Sequence, residues 1–350
     1  MPWFGLDIGG TLSKLVYFEP NDYRDFFNNE EEVQRGKNIR YYLVNNKAYG
    51  KTGIRDEMLQ MDDVVINNLT GTLHFIRFPT ERMIHFIQLV KSKGFAQFRS
   101  TVCATGGGAI KYATEMEREL SMQLLKADEL ESLITGIELI TSNFPEECYY
   151  YDSPLDSEKC RKVIWRWSSA RCSTTDSQYP NENQTESELQ YPYVVCNIGS
   201  GVSVLVVHGH KNFVRATGSS IGGGFFQALC SLVCKSKSFE ESIELAAKGD
   251  NRNVDKLVGD IYGTGYENIG LSADTVAASL GKISKPSDRE KIRPEDLARS
   301  FLVTVANNIG SIAFNVAKQH QIDRIAFVGN FLRVNPVAAR HLAHAMDFWS

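Results

Sequence analysis

The sequence has no apolar run of membrane-spanning length, so no segment reads as a bilayer-crossing helix. It has no excess of positive charge. Against 38 Lys and Arg stand 42 Asp and Glu, a net charge of −4. That removes the general electrostatic case for nucleic acid or an anionic membrane surface as partner. The start lacks a basic segment followed by an apolar core and a cleavage site, and strand character sets in almost at once. We therefore expect no targeting extension within this chain and a cytoplasmic protein, with an organelle left open if an N-terminal extension is missing. The seven Cys (Cys103, Cys148, Cys160, Cys172, Cys196, Cys230 and Cys234) form no C-x-x-C pair and no Cys/His cluster. Their odd number and scatter exclude a disulfide framework and fit a reducing compartment. Cys230 and Cys234, four apart on an expected helix, read as core thiols rather than as two metal ligands. The sequons at Asn68 and Asn183 are then chance matches. The seven His show neither triad nor metal spacing.

What is present is an ordinary globular composition, 43% apolar and 23% charged over 350 residues, enough for two domains with their own cores. One stretch organises it. An apolar run through Leu6 leads into Asp7-Ile8-Gly9-Gly10-Thr11, and Leu15-Val16-Tyr17-Phe18 leaves it. Two strand-like segments joined by paired glycines predict a tight hairpin. Glycines at the tip let backbone N–H groups approach one small anion. Thr11 adds a hydroxyl and Lys14 a mobile cation. Asp7, at the strand end, suits a metal or metal-bound water. A phosphate-binding hairpin and a plain Gly-Gly turn both satisfy this pattern.

The pattern predicts a polar loop or partial helix over 21–38, short strands at Tyr41–Val44 and Leu73–Phe78, and a helix over 81–91. A buried strand, Thr101–Thr105, runs into Gly106-Gly107-Gly108, followed by a helix over 110–120. An amphipathic helix is expected over 124–138, with Glu129 in its first turn. From about 152 to 191 the chain turns polar, and the part near 161–190 reads as an insertion, disordered or interdomain. Tyr193–Val207 then repeats the opening feature in degenerate form, strand, Asn197-Ile198-Gly199-Ser200-Gly201, strand. A third glycine cluster, Gly222-Gly223-Gly224, opens a helix, a place suited to an anion or ribose contact. Helices are expected at 239–247, 254–261 and 294–319. A buried strand over 324–328 ends in Gly329-Asn330, and a last helix reaches Trp349. Because the chain stops at this helix, we expect a C-terminal segment to be missing.

The ordered set Asp7-Ile-Gly-Gly-Thr, Asn197-Ile-Gly-Ser-Gly and Val328-Gly-Asn resembles the phosphate-1, phosphate-2 and adenosine motifs of the actin/Hsp70/sugar-kinase superfold. Longer strings narrow the resemblance: Leu73-His-Phe-Ile-Arg-Phe-Pro-Thr, Cys103-Ala-Thr-Gly-Gly-Gly-Ala, Asn197-Ile-Gly-Ser-Gly-Val-Ser and Phe327-Val-Gly-Asn-Phe-Leu-Arg-Val-Asn. They are similar to the eukaryotic (type II-like) pantothenate kinases over nearly the whole chain except about 20–38 and 150–190. The resemblance implies an α/β protein with a duplicated actin-like (ribonuclease H-like) fold, two domains around a nucleotide cleft. The halves would be 1–190 and 191–350. It implies ATP-dependent phosphorylation of pantothenate to 4'-phosphopantothenate, the first step of coenzyme A synthesis, with Mg2+ as cofactor, acetyl-CoA or another acyl-CoA as inhibitor, and a homodimer with Trp349 near its interface.

Residue by residue, it places a catalytic glutamate at Glu129 in Lys126-Ala-Asp-Glu-Leu. Pantothenate-binding serines fall at Ser200 and Ser203, the substrate arginine at Arg215, which also counts among the catalytic groups, and a tyrosine pair at Tyr262 and Tyr266. The nucleotide contacts fall at Gly9, Gly10, Thr11 and Lys14, joined by Gly199, Gly201, Gly222, Gly223 and Asn330, with Asp7 for the metal. Without the resemblance, Glu129 reads as a first-turn carboxylate favoured by the helix dipole, Arg215 as a solvated strand-end cation, and the tyrosines as packing. Two rivals stand: another small-molecule (sugar) kinase of the superfold, and a non-catalytic acyl-CoA-binding pseudokinase, which would have lost Glu129 or Arg215.

Overall fold

Strand β1, Phe4–Ile8, turns at Gly9-Gly10 into β2, Leu12–Pro20, in antiparallel register with Asp7 opposite Lys14. These strands come from a computed structural model. It describes residues 4–22, 54–92, 101–165, 191–284 and 291–349 except 56 and 67, together with some positions between 30 and 41 and residue 289. The chain divides into two compact units, Met1–Gly136 and Ile137–Ser350.

The first unit is built on one mixed sheet. Its other strands are β3 (Ile54–Arg55), β4 (Met61–Ile66), β5 (Leu69–Pro79), β6 (Thr101–Thr105) and β7 (Gln123–Lys126). The order is β3-β5-β2-β1-β6-β7, with β4 also on β5. The β1–β2 and β2–β5 pairs are antiparallel, and the β1–β6 and β6–β7 pairs parallel. On β2 the alternation Ser13, Leu15, Tyr17 puts one face inward while Lys14 stays exposed. Helices α1 (Met83–Ser92), α2 (Gly107–Lys111) and α3 (Ala113–Leu120) supply Met83, Ile87, Ala109 and Met116 to that core. The single helix expected over 110–120 is thus two, broken at Tyr112 (φ −100, ψ 5).

The helix expected over 124–138 is corrected more strongly. Leu124–Lys126 belongs to β7, which pairs in parallel with β6, and helix α4 runs Glu129–Asn143. Two adjacent leucines suit either state, and the free edge of β6 decides for strand. Asp128 fixes the boundary: its Oδ1 accepts from the N–H groups of Leu130 (2.9 Å) and Glu131 (2.8 Å), as an N-cap does. The expected Tyr41–Val44 strand falls outside the described residues, Tyr41 apart.

In the second unit, β8 (Tyr149–Asp152) and β9 (Arg161–Ile164) form a hairpin where the polar composition suggested an insertion. Asp156 caps its turn through the N–H groups of Glu158 and Lys159, and Lys162 lies 3.8 Å over the Tyr149 ring. The stretch 166–190 lies outside the described residues. The main sheet has order β12-β11-β10-β15, from β10 (Tyr193–Ile198), β11 (Val202–Gly209), β12 (Asn212–Ser219) and β15 (Ile325–Val328). Around it lie α5 (Gly223–Leu229), α6 (Phe239–Lys248), α7 (Val258–Tyr262), α8 (Pro294–His320) and α9 (Pro336–Trp349), and a small ribbon of β13 (Lys256–Leu257) with β14 (Val276–Ala278).

The helix expected over 254–261 is therefore a strand and a short helix. Asp255 is fully buried, and its carboxylate accepts from Ser300 Oγ, the Leu280 N–H and Asn251 Nδ2 at 2.5–2.8 Å. That satisfaction by neutral donors fixes Asp255 in the bend that leads into Lys256–Leu257. Contrary to the expectation from the sequence, one helix among the described residues, α8, is long and apolar enough to cross a membrane, but its Ala298, Leu302, Ala306, Ile309 and Ala313 are buried in this unit's core. Cys230 and Cys234 fall in a π-helical turn and are buried core thiols.

The sheet of the second unit repeats that of the first: hairpin, third antiparallel strand, then a strand parallel to the first. This doubled topology is the one that the resemblance to the actin-like superfold implies. The correspondence extends to single residues. Asp7 pairs with Thr105 on β6, and Asn197 with Val328 on β15. The next residues, Gly106 (φ +81) and Gly329 (φ +121), each lie against the hairpin's isoleucine. A Cβ on Gly106 would come 2.6 Å from the Ile8 carbonyl oxygen, and one on Gly329 2.2 Å from that of Ile198. Ile8 and Ile198 are fully buried.

One buried histidine sets an acid limit on stability. His341 on α9 accepts from Arg299 Nη1 at 2.9 Å, and Arg299 also donates to the carbonyls of Ala246 and Ala247 at the end of α6. Burial, reinforced by the Arg299 cation, lowers the His341 pKa from 6.5 to about 3. The unfolded chain takes up this proton below pH 6.5 and the folded chain only near 3, so stability is lost as pH falls through that window. At pH 5 the loss from this group is about 2 kcal/mol. His341→Gln keeps an acceptor for Arg299 and cannot protonate, so urea titrations at pH 7 and 5 should differ by that much less in the variant.

Candidate functional site

The first unit presents its candidate residues along one edge, the C-terminal ends of β1, β6 and β7. Lys14 Nζ lies 2.7 Å from Asp7 Oδ2, with both side chains partly open to solvent. The hairpin is closed by Gly9 N–H to the Leu12 carbonyl at 3.1 Å, and the tip residue Gly10 faces open space. Thr105, beside Asp7, donates its hydroxyl to the Ala127 carbonyl at 3.0 Å, while Ala127 N–H donates to the Ala104 carbonyl at 2.9 Å. These bonds fix the turn that delivers Glu129. With Asp128 occupied as the cap, the exposed Glu129 carboxylate stands in the first turn of α4. Two strand spacings, about 10 Å, separate the β1 and β7 lines. The structure thus brings Asp7, Gly9, Gly10, Thr11, Lys14 and Glu129 onto one sheet edge.

A nucleotide-borne Mg2+ keeps several waters and takes only one or two protein carboxylates. Asp7, a single half-open carboxylate beside a phosphate-type hairpin, fits that demand. Among the described residues no group of three His, Cys, Asp or Glu is gathered as a protein-only metal cage.

In the second unit the Asn197–Ser203 hairpin is closed by Gly199 N–H to the Gly201 carbonyl at 2.9 Å. The third glycine cluster packs directly on it. Gly223 N–H donates to the Gly199 carbonyl at 2.9 Å, and Gly224 N–H to the Ser200 carbonyl at 3.0 Å. The Gly329 motif reaches the same place through Phe331, buried edge-to-face on Phe226 with ring centroids 6.0 Å apart. Asn330 sits beside it, its Oδ1 accepting from Arg333 Nε at 2.9 Å. Gly199, Gly201, Gly222 and Gly223 are therefore neighbours, and Asn330 directly precedes Phe331, whose ring lies against Gly223.

Arg215 owes its position to a bulge. Val204 pairs with Thr217 but Leu205 with Arg215, so Ala216 is an extra residue on β12. The bulge turns Arg215 to the face it shares with position 218. Gly218 lies opposite Ser203, and a Cβ there would come 2.2 Å from Arg215 Nη2. Without a side chain at 218, the exposed guanidinium folds over the strand beside Ser203. This makes a charged fork next to a hydroxyl, a geometry suited to a carboxylate. Tyr262 and Tyr266 stack at 4.9 Å and are exposed, held across a small loop by mutual backbone bonds between Tyr266 and Leu271.

Reasoning from sequence missed strand β12, the Ala216 bulge and the isoleucine contacts of Gly106 and Gly329. The positive glycine signal was visible in both loops, but only the fold shows what approaches them.

The Fumble family matches residues 3–350. The chain is 37% identical to pantothenate kinase 1 of Arabidopsis thaliana over 348 residues, 99% of this chain and 78% of that protein. It is 36% identical to the pantothenate kinase of Schizosaccharomyces pombe over 293 residues, 81% of this chain and 67% of that one. It is 33% identical to the 4'-phosphopantetheine phosphatase of Mus musculus over 350 residues, which is 99% of this chain but 38% of the mouse protein. With the whole described chain accounted for by one family match and by these relatives, the chain belongs to the Fumble family.

Proposed function

We propose that this chain transfers the γ-phosphoryl group of ATP to the primary hydroxyl of pantothenate, forming 4'-phosphopantothenate, the first step of coenzyme A synthesis. The pantothenate kinases among its relatives support the reading. The observation that carries it is Glu129, an exposed carboxylate on the sheet edge that presents the Asp7 hairpin. Phosphoryl transfer asks a protein mainly for alignment and charge compensation. The Gly9–Thr11 backbone and Lys14 hold the phosphates, and Asp7 holds the Mg2+, which when bound neutralises charge on the phosphate oxygens. Gly199, Gly201, Gly222, Gly223 and Asn330 serve the nucleotide from the second half. Glu129 orients the pantothenate hydroxyl and takes its proton as the bond to phosphorus forms. Arg215 pairs with the pantothenate carboxylate, Ser200 and Ser203 with its other polar groups, and Tyr262 and Tyr266 pack on its chain.

Inhibition by acetyl-CoA or another acyl-CoA at the pantothenate site, a cytoplasmic homodimer, and halves of 1–190 and 191–350 belong to the same reading. The exposed Phe348–Trp349 pair at the end of α9, edge-to-face at 5.0 Å, supports an interface there. The test is ADP release with ATP and Mg2+ over an acceptor panel. Pantothenate should support turnover, with acetyl-CoA raising its apparent KM. Turnover of a hexose in its place would favour the sugar-kinase reading.

A further inference from the structure

The Phe78-Pro79-Thr80 end of β5 holds none of the candidate site residues, yet Thr80 bonds to Gly9, Thr11 and Ser13 of the phosphate hairpin. Thr80 is buried. Its hydroxyl donates to the Gly9 carbonyl at 2.8 Å, and its N–H donates to the Thr11 carbonyl at 2.9 Å. The hydroxyl has one proton, committed to Gly9, so Ser13 Oγ, fully buried and 3.0 Å away, is the donor in their bond. Tyr112 Oη reaches the Thr80 carbonyl at 3.4 Å. Thr80 therefore grips the hairpin on both sides of Gly10.

The consequence follows from peptide geometry. In a trans peptide the carbonyl of one residue and the N–H of the next point oppositely. Holding the Gly9 carbonyl inward turns the Gly10 N–H outward, at a tip that faces open space. The second unit does the same job differently. There the chain leaving the third strand, β12, meets the hairpin with Gly223 N–H on the Gly199 carbonyl. The chain leaving β5, also a third strand, uses the Thr80 side chain and amide instead. Both hairpins are held from the start of the helical segment after the third strand, by the backbone of two glycines in one unit and by the hydroxyl and amide of one threonine in the other.

We propose that Thr80 is a positioning residue for nucleotide, which orients the Gly10 amide toward the ATP phosphates through the Gly9 carbonyl. The proposal rests on the kinase reading for its consequence, but the clamp itself is a property of the fold. It is tested with Thr80→Val, Thr80→Ser and Ser13→Ala. Hydrogen exchange of the peptide covering 7–14, without nucleotide, reads the clamp; ATP and pantothenate KM read its effect. In Thr80→Val, exchange should quicken and the ATP KM rise about tenfold, as for one lost buried hydrogen bond, with pantothenate KM within about twofold. Thr80→Ser, which keeps the hydroxyl, should stay near wild type, and Ser13→Ala should raise the ATP KM several-fold. If Thr80→Val does not fold, the Ser13→Ala result decides. Unchanged exchange and ATP KM in the folded variants, or Thr80→Ser failing as badly as Thr80→Val, would overturn the proposal. If wild type turns over no pantothenate, exchange and the affinity for a fluorescent ATP analogue still judge the clamp, and the fault lies with the kinase reading.

Discussion

In the Glu129→Gln variant, pantothenate phosphorylation falls by about two to four orders of magnitude, the range for loss of a positioned general base, while nucleotide still binds. Gln keeps the size and hydrogen-bonding reach of the side chain and removes the acceptor for a proton. Local folding is not at risk, because Asp128 and not Glu129 caps α4. The turn before it is fixed independently by Thr105 and Ala127. A loss of turnover with unchanged melting temperature and unchanged ATP-analogue affinity would thus report chemistry. Turnover within threefold of wild type would leave Glu129 as a first-turn carboxylate serving only the helix dipole.

Arg215→Gln is expected to raise the KM for pantothenate by about ten- to a hundredfold, the scale of a lost charge-assisted hydrogen bond, and to leave the ATP KM in place. The guanidinium is presented by the Ala216 bulge and lies over Gly218 beside Ser203. Arg215→Lys should recover little, because an ammonium supplies a point charge and no planar fork. An uncharged amide of pantothenate provides the control. If Arg215 reads the carboxylate, wild type should prefer pantothenate to the amide and Arg215→Gln should lose most of that preference, a coupling that a general structural defect would not produce. Equal losses on both acceptors would remove Arg215 from carboxylate recognition.

The parts of this fold that sequence makes legible are those fixed locally. The glycine tips at Gly9-Gly10 and Gly199–Gly201 stand between alternating apolar runs, and both hairpins form where those runs predict them. Helix α8 starts at Pro294 as its pattern indicates. The misread elements are short ones whose state depends on a neighbour. Leu124–Lys126 is a strand because β6 offers an open edge, and Arg161–Ile164 because Tyr149–Asp152 lies opposite. The β12 strand is hard to see because its exposed Asn212 and Arg215 and its glycine at 218 interrupt the apolar pattern of an outer strand. Within the candidate site, residue types were readable and orientation was not. Nothing near Arg215 in the sequence announces a bulge, and Thr80 lies 71 residues from the carbonyl it holds.

The most direct measurement is the identity of the product made by wild-type protein from γ-labelled ATP, Mg2+ and pantothenate, read by 31P NMR and mass spectrometry. The account predicts a phosphomonoester on the primary hydroxyl of pantothenate, formed in step with ADP. Label recovered only as inorganic phosphate, or no transfer under conditions where ATP binds, would contradict it.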